Sequence, residues 1–172
     1  MSLKLPTTVL SHWNNMVEGL QQSSDDFYTQ AAKNLEIHQI KDVKLERVNL
    51  SEGGILSAKR EYLQIRHRDF VYHLCAAPYG NGFFVSSWLG EFESGFWAWL
   101  ASVRYIGAIV RFFRSFIKPV TYYRIDTAEM FLAVVHGATT KALDTVLEGK
   151  GMRALTESER KPVMRDVLSR FT

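Results

Sequence analysis

The sequence predicts an α+β domain with four parts in order: an N-terminal helical arm, a four-stranded antiparallel meander, a long apolar helix with a basic stripe, and two C-terminal helices. Three observations support this prediction. Apolar residues recur at helical 3/4 spacing near the N-terminus, the spacing changes to a period near two over residues 42–93, and helical patterns return after residue 95. At 172 residues, the whole chain (1–172) is expected to form one domain with a substantial core.

Residues 7–37 are predicted to be helical. Trp13, Met16, Val17 and Leu20 follow 3/4 spacing, and a second set at the same spacing runs from Phe27 to Leu35. Gly19 and the polar residues after it can divide the arm into two helices, and Ser23 or Ser24 is then the expected cap of the second helix.

Four strands are predicted next, because apolar and polar residues alternate between turn signals. They are Asp42–Leu50, Ile55–Arg68, Phe70–Ala77 and Phe83–Glu93, with turns at Ser51–Gly54, His67–Asp69 and Asn81–Gly82. Short turns between consecutive strands imply an antiparallel meander. Helices are expected to cover at least one face of this sheet.

The C-terminal third is predicted to be helical again. Pro119 is expected to end the long helix, and Val120–Ile125 is expected to be extended or to form a short connection. Asp126 or Thr127 is the expected cap of a helix over Ala128–Glu148. A capping box at Thr156–Glu159 predicts a last helix. Its apolar stripe comprises Val163, Met164, Val167, Leu168 and Phe171, with Pro162 tolerated in the first turn.

The most unusual stretch is the segment Gly95–Val120, which contains no acidic residue. On a helix, Arg104, Arg111, Arg114 and Lys118 fall within an arc of roughly 80°, and almost all of the remaining surface is apolar. An ordinary surface helix has a much narrower apolar stripe. Three interpretations remain open: a helix in the protein's own core, a helix in a membrane interface, or a helix that packs on a partner or a second copy.

The charge of the chain is concentrated in the same region. Residues 95–124 hold five basic residues and no acid, so they carry +5, whereas the whole chain carries +3 and the rest therefore 3 − 5 = −2. An anionic partner is thus expected to meet this segment. Nucleic acid is the less favoured anion, because the aromatic residues lie mainly away from the basic stripe.

These observations favour a non-enzymatic, membrane-associated accessory protein or subunit of a membrane assembly. Its partner would be an anionic membrane surface or a membrane protein, met at the cytoplasmic face, since the N-terminus carries no signal-peptide pattern. The expected contact residues are aromatic or basic: Trp97, Trp99, Arg104, Arg111, Phe112, Phe113, Arg114, Phe116, Lys118, Tyr122, Tyr123 and Arg124.

Two other functions stay open. One is a soluble homo-oligomer in which the apolar helix forms the core or the subunit interface. The other is a small-molecule-binding or enzymatic domain with a pocket between sheet and helices, around Tyr72, His73 and Cys75.

The sequence predicts no catalytic, cofactor or metal site. No motif for any of these is present, and the single cysteine excludes a cysteine-based zinc site. His73 and Cys75 are expected to be ordinary buried residues and His136 a hydrogen-bonded one. Glu91 and Glu93 are expected to be solvated.

Overall fold

The computed structural model describes residues 8–51, 59–92 and 121–165. Within them lie six strands and three helices. In chain order they are β1 (Thr8–Glu18), α1 (Ser24–Glu36), β2 (Val43–Ser51), β3 (Lys59–His67), β4 (Phe70–Tyr79), β5 (Gly82–Glu91), α2 (Tyr122–Gly149), α3 (Glu157–Arg160) and β6 (Val163–Met164). The predicted long helix at 95–120 and the predicted stripe residues Val167, Leu168 and Phe171 lie outside the described residues.

The strands form one six-stranded antiparallel sheet in the order β2-β3-β4-β5-β1-β6. Strands β2 to β5 are the predicted meander and pair in sequence order. The prediction that they make up the whole sheet, preceded by a helical arm, is wrong, because β1 pairs with β5 along its length and β6 pairs with β1.

The helical prediction for residues 7–37 fails in its first half. Trp13 and Val17 fit a helical pattern, but they also satisfy a period of two, and as a strand they place Trp13 on the buried face. Pairing with β5 settles the choice, and no local pattern reveals it. The strand ends at Glu18, and the next residue, Gly19, has a φ of 74° that favours glycine. The second half is helix α1, and Ser23 is confirmed as its cap.

The helix that follows residue 120 begins earlier than predicted. Thr121, not Asp126 or Thr127, is the N-cap of α2, and its side chain accepts a hydrogen bond from the backbone N–H of Arg124. The predicted extended connection is therefore wrong from Tyr122 onwards.

The last predicted helix is short. Its capping box between Thr156 and Glu159 is confirmed, but α3 ends at Arg160. Lys161 precedes Pro162 and adopts an extended conformation, as residues before proline generally do. Val163 and Met164 then pair with Ser11 and His12 as strand β6.

Helices α1 and α2 pack against each other and cover one face of the sheet, here called the inner face. Alternate residues of β4, including Phe70, Tyr72 and Leu74, point into the core there. Val71, His73 and Cys75 point to the opposite, outer face and are also buried.

Tyr28 of α1 joins the core to the sheet by hydrogen bonds. The pairing of β3 with β4 ends at Leu63 opposite Leu74. If the pairing continued in the same register, Glu61 and Ala76 would be the next two residues to exchange backbone hydrogen bonds. At that position the buried Tyr28 hydroxyl donates to the carbonyl of Glu61 and accepts from the N–H of Ala76, each at 2.9 Å. One side chain therefore replaces the missing rung and fixes α1 on the sheet.

We expect Tyr28→Phe to lower the free energy of unfolding by about 1–3 kcal/mol, because the buried N–H of Ala76 loses its acceptor. Urea unfolding followed by circular dichroism measures this. Tyr79→Phe is the control, because Tyr79 is 69% exposed, and it should change the midpoint little. Equal midpoints for the two variants would contradict the bridging role of Tyr28.

Candidate functional site

The described contact residues lie at one corner of the sheet, where β4 begins, β5 ends and α2 begins. We call this the corner, and its residues are Arg68, Asp69, Glu91, Phe92, Tyr122, Tyr123 and Arg124. Thr121 places Tyr122, Tyr123 and Arg124 in the first turn of α2. The β3–β4 turn contributes Arg68, whose φ of 55° belongs to that tight turn.

Ion pairs join the three elements at the corner. The Arg124 guanidinium contacts the Glu91 carboxylate at the end of β5 and lies 3.9 Å from an Asp69 carboxylate oxygen. The N–H of Phe92 donates to the carbonyl of Asp69 at 2.8 Å. Phe92 and Thr121, the described residues on either side of positions 93–120, therefore lie beside the same corner.

The two tyrosines at the corner face solvent. Tyr122 is 88% exposed and Tyr123 is 70% exposed. Arg68 Nη1 donates to the Tyr123 hydroxyl at 3.4 Å, and this hydrogen bond, with the arginine charge, lowers the pKa of Tyr123. Large exposed aromatic side chains next to cations are typical of surfaces that meet a partner or a headgroup layer.

Of the predicted contact residues, the structure therefore places three at this corner: Tyr122, Tyr123 and Arg124. The other predicted contacts lie outside the described residues, namely Trp97, Trp99, Arg104, Arg111, Phe112, Phe113, Arg114, Phe116 and Lys118.

Sequence reasoning missed the acidic partners of Arg124. Glu91 was expected to be solvated, but its side chain is only 20% exposed and pairs with Arg124. The two residues lie far apart in sequence, so no local pattern could have joined them. Glu93, its predicted neighbour on the strand, lies outside the described residues.

A second group of polar residues crosses the outer face of the sheet. The strand registers align Gln64, His73, Trp88 and His12 in one row across β3, β4, β5 and β1. His73 Nε2 lies 3.0 Å from Gln64 Oε1, and the rings of His12 and Trp88 stack at 3.7 Å between centroids. Burial raises the pKa of the Cys75 thiol in the next row. The prediction of a buried cysteine and a hydrogen-bonded core histidine is confirmed.

The inner face holds the remaining predicted polar residue. His136 of α2 lies 2.6 Å through Nε2 from the carbonyl of Arg160, and its Nδ1 lies 3.4 Å from the Tyr72 hydroxyl. With Nε2–H donating to the carbonyl, Nδ1 is free to accept from Tyr72. The predicted hydrogen-bonded role of His136 is confirmed. Tyr72 thus lies on the opposite face of the sheet from His73 and Cys75.

The described residues contain no cluster of three or more potential metal ligands. Among the described helices, none combines the length and the apolar character needed to cross a membrane. No family model matches the chain, and neither a curated protein nor a solved structure matches it significantly.

Stability should depend on pH through His73. Burial, and secondarily the charge of Arg66, lowers the pKa of His73 from 6.5 to about 4. The unfolded chain then binds a proton that the folded chain does not between about pH 6.5 and 4, so stability falls as pH falls through this range. The difference of roughly 2.5 pKa units corresponds to at most about 3 kcal/mol.

Urea unfolding at a series of pH values tests this expectation. His73→Gln, which cannot titrate, should make the curve shallower between pH 6.5 and 4, although His67 and His136, whose pKa values burial also lowers, still contribute. His38→Gln, at an exposed histidine, is the control for the substitution itself. The same slope in the wild type and in His73→Gln would contradict it.

Proposed function

We propose that this chain is a non-enzymatic, membrane-associated accessory protein that docks on an anionic membrane surface through segment 95–120 and the exposed tyrosines of the corner. The proposal rests mainly on one observation: segment 95–120 and the exposed tyrosines of the corner are adjacent in the chain. A segment with four basic residues, no acid and an otherwise mainly apolar sequence runs directly into two exposed tyrosines. The proposed site of action is the cytoplasmic face of the membrane.

The composition of the segment supports binding to anionic lipid. Lys and Arg near a membrane surface gain about 1 kcal/mol each from anionic headgroups, and apolar side chains gain more by leaving water. Arg104, Arg111, Arg114 and Lys118 supply the first contribution, and the many aromatic residues among them supply the second. Long arginine side chains can keep their charge at the phosphates while the apolar residues lie deeper.

The ion pair at the corner favours docking on one side of the membrane over a single crossing of the bilayer. A continuous helix over the 22 residues Phe96–Ile117 would be about 33 Å long, enough to span a bilayer. A single crossing, however, would place Glu91 and Arg124 on opposite sides of the membrane, and these residues form an ion pair. Arginine near the bilayer centre is also costly. The segment is therefore proposed to enter and leave the membrane surface on the same side.

The tyrosines of the corner extend the proposed surface. Tyr122 and Tyr123 expose aromatic rings at the point where the chain returns from the segment. Tyrosine is enriched at membrane interfaces because its ring is apolar and its hydroxyl is polar. Arg124, in contrast, is 23% exposed and pairs with Glu91 and Asp69, so its proposed role is to hold the corner together.

We expect the triple variant Arg104→Glu, Arg111→Glu, Arg114→Glu to bind phosphatidylserine-containing vesicles about a hundredfold more weakly than the wild type, since three favourable charges are reversed. Co-sedimentation with phosphatidylcholine vesicles, with and without phosphatidylserine, measures the affinity.

The matched control reverses three exposed lysines outside the segment: Lys33→Glu, Lys141→Glu and Lys150→Glu. It changes the net charge equally and should retain most of the binding. Equal loss in both variants would mean that only net charge matters and would contradict docking through the segment. A discrete oligomer that does not bind vesicles and that the triple variant dissociates would instead support the alternative in which the segment is a subunit interface.

The double variant Tyr122→Ala, Tyr123→Ala should weaken vesicle binding by about tenfold, because two rings no longer enter the interface. Tyr79→Ala removes an equally exposed tyrosine from the opposite end of β4 and serves as the control. If the double variant and the control bind alike, the corner does not belong to the docking surface.

A further inference from the structure

Strand β2 forms one edge of the sheet. It pairs with β3 over nine residues, and in the part of the chain that the structure describes no strand pairs with its other side. The first half of the strand is exposed, with the side chains of Lys44, Leu45 and Glu46 facing solvent. Leu45 is 38% exposed, which is high for a leucine in a strand. An open edge offers a row of backbone donors and acceptors to another strand.

A groove lies beside this edge on the inner face. It has a volume of about 400 Å³ between α1 and strands β2 and β3. Ala32, Leu45 and Leu63 form its apolar part, and the polar or charged residues Thr29, Lys33, Glu36, Glu46 and Arg47 also line it. Arg47 closes one part of it, because its guanidinium lies 4.4 Å above the Tyr28 ring and pairs with Asp25 and Glu61. The charge of Arg47 is thus satisfied within the chain, while Leu45 is left beside an open apolar surface.

Whether β2 can pair with β2 of a second copy depends on which residues come to lie opposite each other. If a second copy adds antiparallel through a two-fold axis perpendicular to the sheet, each register is centred on one residue that faces its own copy. A register centred on Leu45 pairs five residues of β2, Val43–Arg47, whereas registers centred nearer the middle of the strand pair more, so the side chains must select the Leu45 register.

Most registers place like charges opposite each other or bring no stabilising pair of side chains together. Centring on Lys44, Glu46 or Arg47 places that charged residue opposite its own copy, which is unfavourable. Centring on Val48 opposes no charges, and Val48 is already buried within the chain.

Centring on Leu45 differs from all of these. Leu45 then faces Leu45 of the second copy, and Lys44 faces Glu46 in two symmetry-related pairs. The exposed leucine and both exposed charges are satisfied together, and Val43 faces the aliphatic part of Arg47. Cross-strand pairs of opposite charge and of apolar residues are both stabilising.

From this complementarity we infer that the β2 edge is a homodimer interface in which two copies pair antiparallel about Leu45, forming a continuous twelve-stranded sheet. The two copies of Leu45 then cover each other beside the apolar part of each groove. The opposing charges select the register and disfavour other partners, as specific interfaces generally require. This interface uses none of the residues of the proposed membrane-docking surface.

Charge exchange tests the inference in the full-length protein by sedimentation velocity over a concentration series. Lys44→Glu alone and Glu46→Lys alone each create two like-charge pairs and should weaken the dimer by about tenfold or more. The double variant Lys44→Glu, Glu46→Lys restores two opposite pairs and should return to within about threefold of the wild type. Lys141→Glu, on the exposed side of α2, is the control and should leave dimerisation unchanged.

Cross-linking tests the register. In an antiparallel pair centred on residue 45, the two Cα atoms at that position lie about 4.5–5.5 Å apart, within reach of a disulfide. Leu45→Cys should therefore give a covalent dimer under oxidation. Asn49→Cys lies on the same exposed edge, but its two copies would be about 26 Å apart, so it should not cross-link. The natural Cys75 is fully buried and is common to both variants.

These experiments test the dimer interface independently of the membrane proposal. A monomer at every concentration, or an oligomer unaffected by either single charge reversal, would overturn the dimer interface. So would a double variant as weak as the single ones, or equal cross-linking at positions 45 and 49. Vesicle binding by the monomeric single variants would leave the membrane proposal standing.

Discussion

The antiparallel pairing of β1 with β5 is the interaction on which the rest of the fold depends. It runs from Thr8 opposite Glu91 to Glu18 opposite Gly82, with one irregularity near Leu10. Because of it, Trp13 lies under α2 with its ring edge-on to His136, and its Nε1–H donates to the carbonyl of Glu159 in α3. It also provides the edge on which β6 pairs. Without β1, α3 would lose its contact with Trp13 and β6 would have no strand to pair with.

The close approach of β1 to β5 is visible at Gly82. A side chain at this position would place its Cβ 2.6 Å from the carbonyl oxygen of Val17, nearer than real Cβ atoms come. The two-residue turn before it, Gly80–Asn81, begins with a positive φ of 59° at Gly80. The turn predicted at Asn81–Gly82 therefore lies within one residue of the observed turn. The need for glycine at position 82, however, arises from the approach of Val17 in β1, about 65 residues earlier in the chain.

Satisfied polar groups fix the helices on the sheet. Tyr28 bridges Glu61 and Ala76, Asn34 of α1 donates to the carbonyl of Ala138 in α2, and Arg160 pairs with Asp144. Each contact satisfies groups that are buried or partly buried, and leaving such groups unpaired is costly. At the corner, Arg124 likewise pairs with Glu91 and Asp69 and so ties together the residues that flank the proposed docking segment.

Local sequence by itself determined the meander strands and the caps at Ser23 and Thr156. These features depend on alternation, turn residues and side chains that act within a few positions. Only the tertiary structure decided that residues 8–18 form a strand and that Glu91 is paired with Arg124. Those outcomes depend on contacts between distant residues, where pairing energy outweighs the weak local preference that a sequence pattern records.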